Sequence, residues 1–400
     1  MSDSTASRAA AAGSRPLVGH LIREYARANE TFVVNQIASQ TRYTPTVLCH
    51  RRLPTQPGST LGGEVRVLDY ETSHSMGRFA RATYRLARIM MPRERRFYAD
   101  GLASPFLGVV HAHYGTDAAF FLPAVRDAGK SLIVSYYGYD VSAFPRAFCG
   151  LGRHYMQPLW RSRAWHLAMT PKMAADLVDL GVPRSRIQVH HHGIDTAFWT
   201  TEGVEVVVER PYILQVGSLH PVKGQDYLLQ AFQRLAPLYP DLDVHLVGRG
   251  PFLEPLTRLA SRLGLADRVR FLGHMPHGDA LRVEYANATV FCHPSQRQRD
   301  GREEGLPGTI LEAMSCGRAV VSTRHGGIPF AVRQGQTGLL TAEGDVLGLA
   351  EALHGLVRDE AMRESYGRAG RRLVRAAFDV RVQGARLEGI YDEAIRAATP

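Results

Sequence analysis

The sequence predicts an α/β protein built from two doubly wound, Rossmann-like domains facing each other across a cleft. Three observations carry this prediction. Short apolar runs closed by Gly, Pro, Asp or Ser alternate with longer segments of helical periodicity. The alternation breaks once, in an irregular polar stretch, and then restarts. At 400 residues the chain is long enough for two domains of ordinary size. Strands that alternate with helices favour parallel sheets covered on both faces, and two such sheets place a ligand cleft at the carboxyl ends of their strands.

In the first half, apolar runs predict strands at Leu17–Ile22, Pro45–Cys49, Val65–Leu68, Val109–Ala112, Ser131–Tyr136, Trp165–Met169 and Ile187–His190. Helical spacing predicts helices at Glu30–Gln40, Gly77–Met91, Thr116–Ala128, Pro145–Arg161 and Pro171–Leu180. The stretch DTAFWTTEGVEVVVERP then breaks the pattern, which puts a linker at about 197–210 between domains at 1–196 and 211–376. Beyond it, YILQVG reads as a buried strand, Tyr227–Leu238 as a helix, and DVHLV as a strand running into a Gly turn. Further strands fit Val269–Leu272, Thr289–His293, Ala319–Ser322 and Gly338–Thr341. Helices fit Phe252–Leu263, Gly278–Ala286, Thr309–Ser315 and Gly327–Arg333.

Composition removes several classes. No run approaches the ~18 apolar residues of a membrane span, and the first residues lack the apolar core of a secretory signal, so the expectation is a cytoplasmic chain. The four cysteines are far apart and form no CxxC pair, which argues against a zinc ribbon or a disulfide framework. The net charge of +10 is unevenly placed: residues 1–196 hold 24 basic and 14 acidic side chains, and the remainder holds 24 of each. Much of the excess lies in GRFARATYRLARIMMPRERRFY, where Arg78, Arg81, Arg85 and Arg88 share one helix face beside an apolar stripe. Such a helix either lies on an anionic membrane surface or forms a solvated outer face. No nucleic acid partner is expected, because no recognition module or aromatic platform accompanies the charge.

The segment HPSQRQRDGREEGLPGTILEAMSCGRAVVSTRHGGIP, residues 293–329, carries the most chemistry. A helix starting near Gly308 would aim its free N–H groups at the cleft, an arrangement that favours a phosphate. Gly305, Leu306, Pro307, Gly308 and Thr309 would then cradle a diphosphate through their backbone. Glu304 stands at the lip of the turn, and Glu312 lies inside the helix, where its two oxygens suit a vicinal diol. That is a sugar-nucleotide signature with no evident metal site. His190, His191 and His192 point alternately to opposite faces and do not converge on an ion. The DLD at 241–243 reads as a polar turn, and Gly248-Arg249-Gly250 lacks the rest of a dinucleotide fingerprint.

The run EGLPGTILEAMSCGRAVVST resembles the E-x7-E signature of the family-4 retaining glycosyltransferases, which share the GT-B fold. VGSLHPVKGQDYLLQAF, LVGRGP, FLGHMP, HHGIDTAFW and GQTGLLTAEGD are similar to other landmarks of that family and stand in its order. NETFVVNQI, HAHYG, YYGYDVSAF and DGREEGLP resemble the branch containing colanic-acid and amylovoran-type exopolysaccharide transferases.

The resemblance implies roles position by position. Glu304 would contact hydroxyls of the donor sugar, Glu312 the nucleotide ribose, and Lys223, with Gly217 and Ser218 of the preceding loop, the diphosphate. Ser218 stands where most members have Arg, and Tyr137 where many have His; Arg249 is expected to restore the missing charge. Catalytic roles fall to Glu304, Lys223 and His113, and the acceptor side to Glu30, Thr31, His113, Tyr137 and Asp140. No covalent nucleophile, metal or cofactor is expected beyond the co-substrate, a UDP- or GDP-linked sugar. The final segment, 377–400, is expected to form a helix at about 380–397 that returns to the first domain. The favoured acceptor is a lipid-linked saccharide at the cytoplasmic membrane face. A soluble metabolite or antibiotic as acceptor is one alternative; a non-catalytic sugar-nucleotide or polysaccharide-binding protein is another.

Overall fold

The computed structural model describes residues 15–26, 31–53, 63–68, 90–205 and 209–398. Glu30 and the arginines Arg78, Arg81, Arg85 and Arg88 lie outside the described residues, as does the helix expected at Gly77–Met91.

The first sheet contains β1 (Leu17–Tyr25), β2 (Thr44–Arg52), β3 (Glu64–Val67), β4 (Leu107–His113), β5 (Ser131–Tyr136), β6 (Trp165–Ala168) and β7 (Ile187–Val189). Its order is β3-β2-β1-β4-β5-β6-β7, and every pair is parallel. The helices of this half are α1 (Thr31–Ala38), α2 (Pro92–Leu102), α3 (Gly115–Asp127), the short α4 (Tyr139–Ser142), α5 (Leu151–Trp160) and α6 (Pro171–Asp179).

The second sheet contains β8 (Tyr212–Val216), β9 (Asp243–Val247), β10 (Val269–Gly273), β11 (Val290–His293), β12 (Val320–Thr323) and β13 (Gly338–Thr341). Its order, β10-β9-β8-β11-β12-β13, is again wholly parallel. Its helices are α7 (Gln225–Leu235), α8 (Leu253–Arg262), α9 (Asp279–Asn287), α10 (Gly308–Ser315), α11 (Val346–Arg358) and α12 (Glu360–Ala377).

Both sheets follow from the apolar runs. The strand interiors are buried on both faces, which is why they read as continuous apolar runs rather than alternating ones. Strand order reverses between β1 and β4 in one sheet and between β8 and β11 in the other. A crevice opens at such switch points, beyond the strands' carboxyl ends.

The last helix, α13 (Val380–Arg396), packs on the first sheet, not the second. Leu387, Ile390, Tyr391 and Ala394 join Val18, Tyr43, Val109, Ile133 and Leu167 in one buried cluster. Each large apolar side chain buried there contributes roughly 2 kcal/mol. Glu388 fixes the angle of approach, its Oε1 accepting the backbone N–H of Thr41 and of Arg42, both at 2.6 Å. The chain enters α13 beside Ile194, whose N–H and carbonyl bond Phe378 and Val380 at 2.8 Å each. The two passages between the sheets therefore lie side by side.

Several local expectations change. The helix expected at Pro145–Arg161 is broken: a single turn at Phe144–Arg146 ends in Phe148, Cys149 and Gly150, all with positive φ, before α5 begins. The helix expected at Gly327–Arg333 shrinks to the turn Ile328–Phe330. Its first residue is committed elsewhere, because the Gly327 N–H donates to the Gly305 carbonyl at 2.6 Å. Asp243, taken as part of a polar turn, opens β9 and is buried between Arg268 (3.0 Å) and Arg210 (3.1 Å).

Candidate functional site

The site forms where β8, β11 and β12 end. After β8 the chain makes a tight turn, Pro221–Lys223, and starts α7 at Gly224. Gly224 has φ +68°, and a Cβ there would sit 1.9 Å from the Pro294 carbonyl, so only glycine lets this turn press against the end of β11. Gln215 Nε2 donates to the Lys223 carbonyl at 2.7 Å and locks the same turn from below. Lys223 is thereby aimed across the site at Glu304, its Nζ 2.6 Å from Oε1 and 2.8 Å from Oε2.

The carboxyl of Glu304 is held below its ordinary value. Burial works to raise it, but the positive charge of Lys223 and its hydrogen bond prevail. Its backbone is also clamped, since the Glu304 N–H donates to His325 Nε2 at 2.9 Å. His325 must then carry its proton on Nδ1, which donates to Glu343 Oε1 at 2.8 Å.

Past Glu304, residues 305–307 turn into α10, whose N-cap residue Pro307 gives its first N–H groups no side-chain cap. Thr309 Oγ1 is buried and has no hydrogen-bond partner among the described residues. Glu312 lies one turn inside α10. Tyr285 donates to its Oε2 at 2.8 Å, and His277 Nε2 faces Oε1 at 3.6 Å. The same His277 nitrogen lies 3.4 Å from Thr31 Oγ1, so the two halves of the molecule meet here. Gly217 lies beside His293 and Lys223, whose side chains a Cβ there would meet at 3.5 and 3.6 Å. Ser218 and Arg249 are exposed at the rim, on loops joined by the Leu219 N–H to the Arg249 carbonyl at 2.9 Å.

The opposite wall comes from the first sheet. Tyr137 and Gly138 follow β5 and lie against the backbone of residues 303–305; a Cβ on Gly138 would stand 3.0 Å from the Glu303 carbonyl. Asp140 shapes this loop. It is buried, and its carboxylate accepts N–H bonds from Gly115 (2.9 Å), Tyr137 (3.1 Å) and Gly138 (3.1 Å). Burial raises its carboxyl despite these donors. Both oxygens are therefore spent on backbone, so Asp140 sets the wall and does not present a free carboxylate to an acceptor. His113 is also fully buried, behind Tyr137, with Nδ1 2.8 Å from the tyrosine oxygen. Lys172 closes the lip, 3.0 Å from Glu303.

Residues 201–373 match the family model described as Glycosyl transferases group 1, and residues 38–198 match that of Glycosyltransferase Family 4. The chain belongs to glycosyltransferase family 4. Among its curated relatives, this family-4 chain is 38% identical over 180 residues to the GDP-mannose-dependent alpha-(1-6)-phosphatidylinositol monomannoside mannosyltransferase of Mycolicibacterium smegmatis, a match spanning 45% of the chain and 47% of that relative. The putative colanic acid biosynthesis glycosyltransferase WcaL of Escherichia coli is 26% identical over 372 residues, 84% of the chain and 89% of the relative. In fold, Anabaena HepE in complex with UDP-glucose superposes with a TM-score of 0.76 at 19% identity, covering 94% of this chain and all of that one. Sucrose-phosphate synthase from Thermosynechococcus elongatus gives 0.78 at 18% identity over 96% of this chain and all of the other.

Three further residues of this family-4 site escape a reading of motifs. His293 is fully buried at the end of β11 and keeps Nε2 unpartnered among the described residues, beside Lys223 and Gly217. Burial, with the Lys223 charge, pushes its imidazole down to about 3, so it stays neutral. His325 and Tyr285 hold Glu304 and Glu312. The only sequence signal for His293 and His325 is their place at strand ends.

Proposed function

We propose that the protein transfers a sugar from a nucleoside-diphosphate sugar to a hydroxyl of a saccharide acceptor, with retention at the anomeric carbon and without a metal ion. The observation that carries this reading is the Lys223–Glu304 pair set beneath the open start of α10, at the switch point of the second sheet. A diphosphate there would meet the Lys223 ammonium, the N–H groups of residues 308 and 309 and the Thr309 hydroxyl, which has no partner among the described residues. Arg249 would add the charge that Ser218 lacks. Glu312, already steadied by Tyr285, would hold the ribose, and Glu304 the sugar hydroxyls.

In the transfer, the bond from the anomeric carbon to the diphosphate breaks and its electron pair stays on the leaving oxygen. Lys223 and the α10 N–H groups stabilise that charge where it develops. The acceptor hydroxyl attacks from the same face, and its proton passes to the departing diphosphate. Glu304 is assigned to binding the sugar rather than to nucleophilic attack, a reading supported by its ion pair with Lys223. The acceptor enters along the wall of Thr31, Tyr137 and Gly138, with His113 setting Tyr137 from behind.

Relatives named for GDP-mannose and a structural neighbour holding UDP-glucose make GDP- and UDP-sugars the donors to try first. A lipid-linked saccharide at the inner membrane face is the proposed acceptor in exopolysaccharide or cell-surface glycan synthesis, with the arginines of residues 77–98 attracted to anionic lipid. A thermal-shift screen with UDP-, GDP- and dTDP-sugars, followed by transfer assays and the anomeric configuration of the product by NMR, tests the reading. Donor binding with no transfer to any saccharide acceptor would favour a sugar-nucleotide-binding protein instead. Flotation with anionic and neutral liposomes tests the membrane role.

A further inference from the structure

Beneath the Tyr137 wall, three histidines converge. His20 is on β1, and His111 and His113 are on β4. Alternate residues of a strand share a face, so His111 and His113 point the same way, and the β1–β4 register sets His20 directly opposite His111 on that face. All three are wholly buried under α1 and α13. One ring nitrogen from each lies within 4.8 Å of the other two, and His20 Nδ1 is already 3.0 Å from His113 Nε2.

We propose that His20, His111 and His113 form a binding site for a single divalent transition ion of the zinc class. Four-coordinate zinc, with bonds of about 2.0–2.1 Å, holds neighbouring nitrogens about 3.4 Å apart. The His20–His113 pair is close to that spacing, and a small side-chain rotation brings His111 in. An all-imidazole set suits zinc, cobalt or nickel and disfavours magnesium and calcium.

The surroundings fit an ion in two further ways. A metal-bound imidazole normally gives its other ring nitrogen to an outer partner that fixes ring orientation. Here His20 Nε2 faces the Gln40 amide at 2.9 Å, and His113 Nδ1 faces the Tyr137 hydroxyl at 2.8 Å. His111 lies between Tyr391 and Ser135, each 2.8 Å from one of its nitrogens, so either nitrogen can turn inward while the other keeps a partner. Second, Gln40 Oε1 is buried without a partner among the described residues. With His20 bound to an ion through Nδ1, its Nε2 carries a proton, and turning the Gln40 amide over gives that proton an acceptor. The ion would tie β1 to β4 directly behind the acceptor wall. This role is independent of the donor-site chemistry.

The test uses the full-length protein, stripped with a chelator and titrated with cobalt(II). The expected result is one equivalent bound, with the visible ligand-field absorption of a tetrahedral site, displacement by zinc, and an unfolding temperature raised by about 5 °C at saturating zinc. The band should disappear in His20→Gln and in His111→Ala and persist in His191→Ala, whose histidine belongs to the separate 190–192 run. Two outcomes overturn the proposal. One is a wild-type protein with no band and no saturable binding, a result that needs no variant to fold. The other is a band unchanged in both His20→Gln and His111→Ala, which places the ion elsewhere.

Discussion

Lys223 Nζ sits between the two oxygens of Glu304, 2.6 Å from one and 2.8 Å from the other, and both side chains are mostly buried, at 17% and 14% exposure. Removing one member of such a pair strands a charge away from water, which costs about 3 kcal/mol. Lys223→Met should therefore lower unfolding free energy in urea by that amount and reduce transfer about a hundredfold or more, through lost charge stabilisation at the diphosphate. Glu304→Gln strands the Lys223 ammonium in the same way, so it should also lower stability while disabling transfer. Stability unchanged in Lys223→Met would show that the pair contributes little to the fold.

Acid should destabilise the protein well above the carboxylate range. His166 and His293 are fully buried, and burial, assisted by Arg186 for the first and Lys223 for the second, lowers both to about 3 from an ordinary 6.5. The unfolded chain therefore binds protons that the native state refuses, so stability is complete above about pH 6.5 and is lost as pH falls toward 3. Each group removes about 1.4 kcal/mol per pH unit in that window. Glu304, also held low, adds a loss beginning near its ordinary 4.5. Unfolding midpoints measured across the range should be flat on the alkaline side of neutrality and fall steeply below it. A midpoint that does not move down to about pH 5 contradicts this account.

Tyr285 and Glu312 are buried together, with the hydroxyl donating at 2.8 Å. Tyr285→Phe leaves one Glu312 oxygen without its donor, at a cost of about 1–2 kcal/mol. Because Tyr285 steadies the group proposed to hold the ribose, the donor KM should rise several-fold while kcat changes little. A fall in kcat alone would place Tyr285 at the reacting centre instead.

Lys172 reaches across the cleft to Glu303 at 3.0 Å, and it is 43% exposed. The lysine end is solvated and Glu303 keeps Arg297 as a second partner, so the pair contributes about 1 kcal/mol or less and Lys172→Ala should leave unfolding nearly unchanged. It should instead loosen the closed arrangement, seen as a larger radius of gyration by small-angle scattering in the presence of donor. Identical scattering curves would argue that closure does not depend on this lip.

Gly224→Ala is the sharpest test of the Lys223 turn. The new Cβ would stand 1.9 Å from the Pro294 carbonyl at a φ of +68°, so the turn must move. Donor binding should fall at least tenfold, a loss of about 1.4 kcal/mol or more, with the secondary structure by circular dichroism retained. Normal donor affinity would show that the turn does not position Lys223.

The sheets and most of the second-half site were legible because their signals are local. A strand buried on both faces is written as a contiguous apolar run, and Glu304, Glu312 and Lys223 stand at fixed spacings around turns. The departures were set by contacts between segments far apart in the chain. Gly327 forgoes a helix to bond Gly305, and His325 reaches back to the Glu304 backbone. Asp140 looked like a cleft carboxylate until its three backbone donors were in view. Apolar periodicity does not mark the helices Pro92–Leu102, Val346–Arg358 and Glu360–Ala377. The first and last of these carry charge through most of their length, which blurs the apolar stripe.

The C-terminal helix gives the chain an unusual order of assembly. Leu387, Ile390 and Tyr391 complete the core beneath Val18, Val109 and Ile133, so the half synthesised first is finished by residues synthesised after the whole second sheet. During translation the first sheet must wait, with one face uncovered, while the second sheet is made and can fold on its own local contacts. A chain ended between α12 and α13 would carry a complete second half joined to a first half with one face of its sheet uncovered. The return of α13 thus makes possession of this helix a condition for both halves to be native at once.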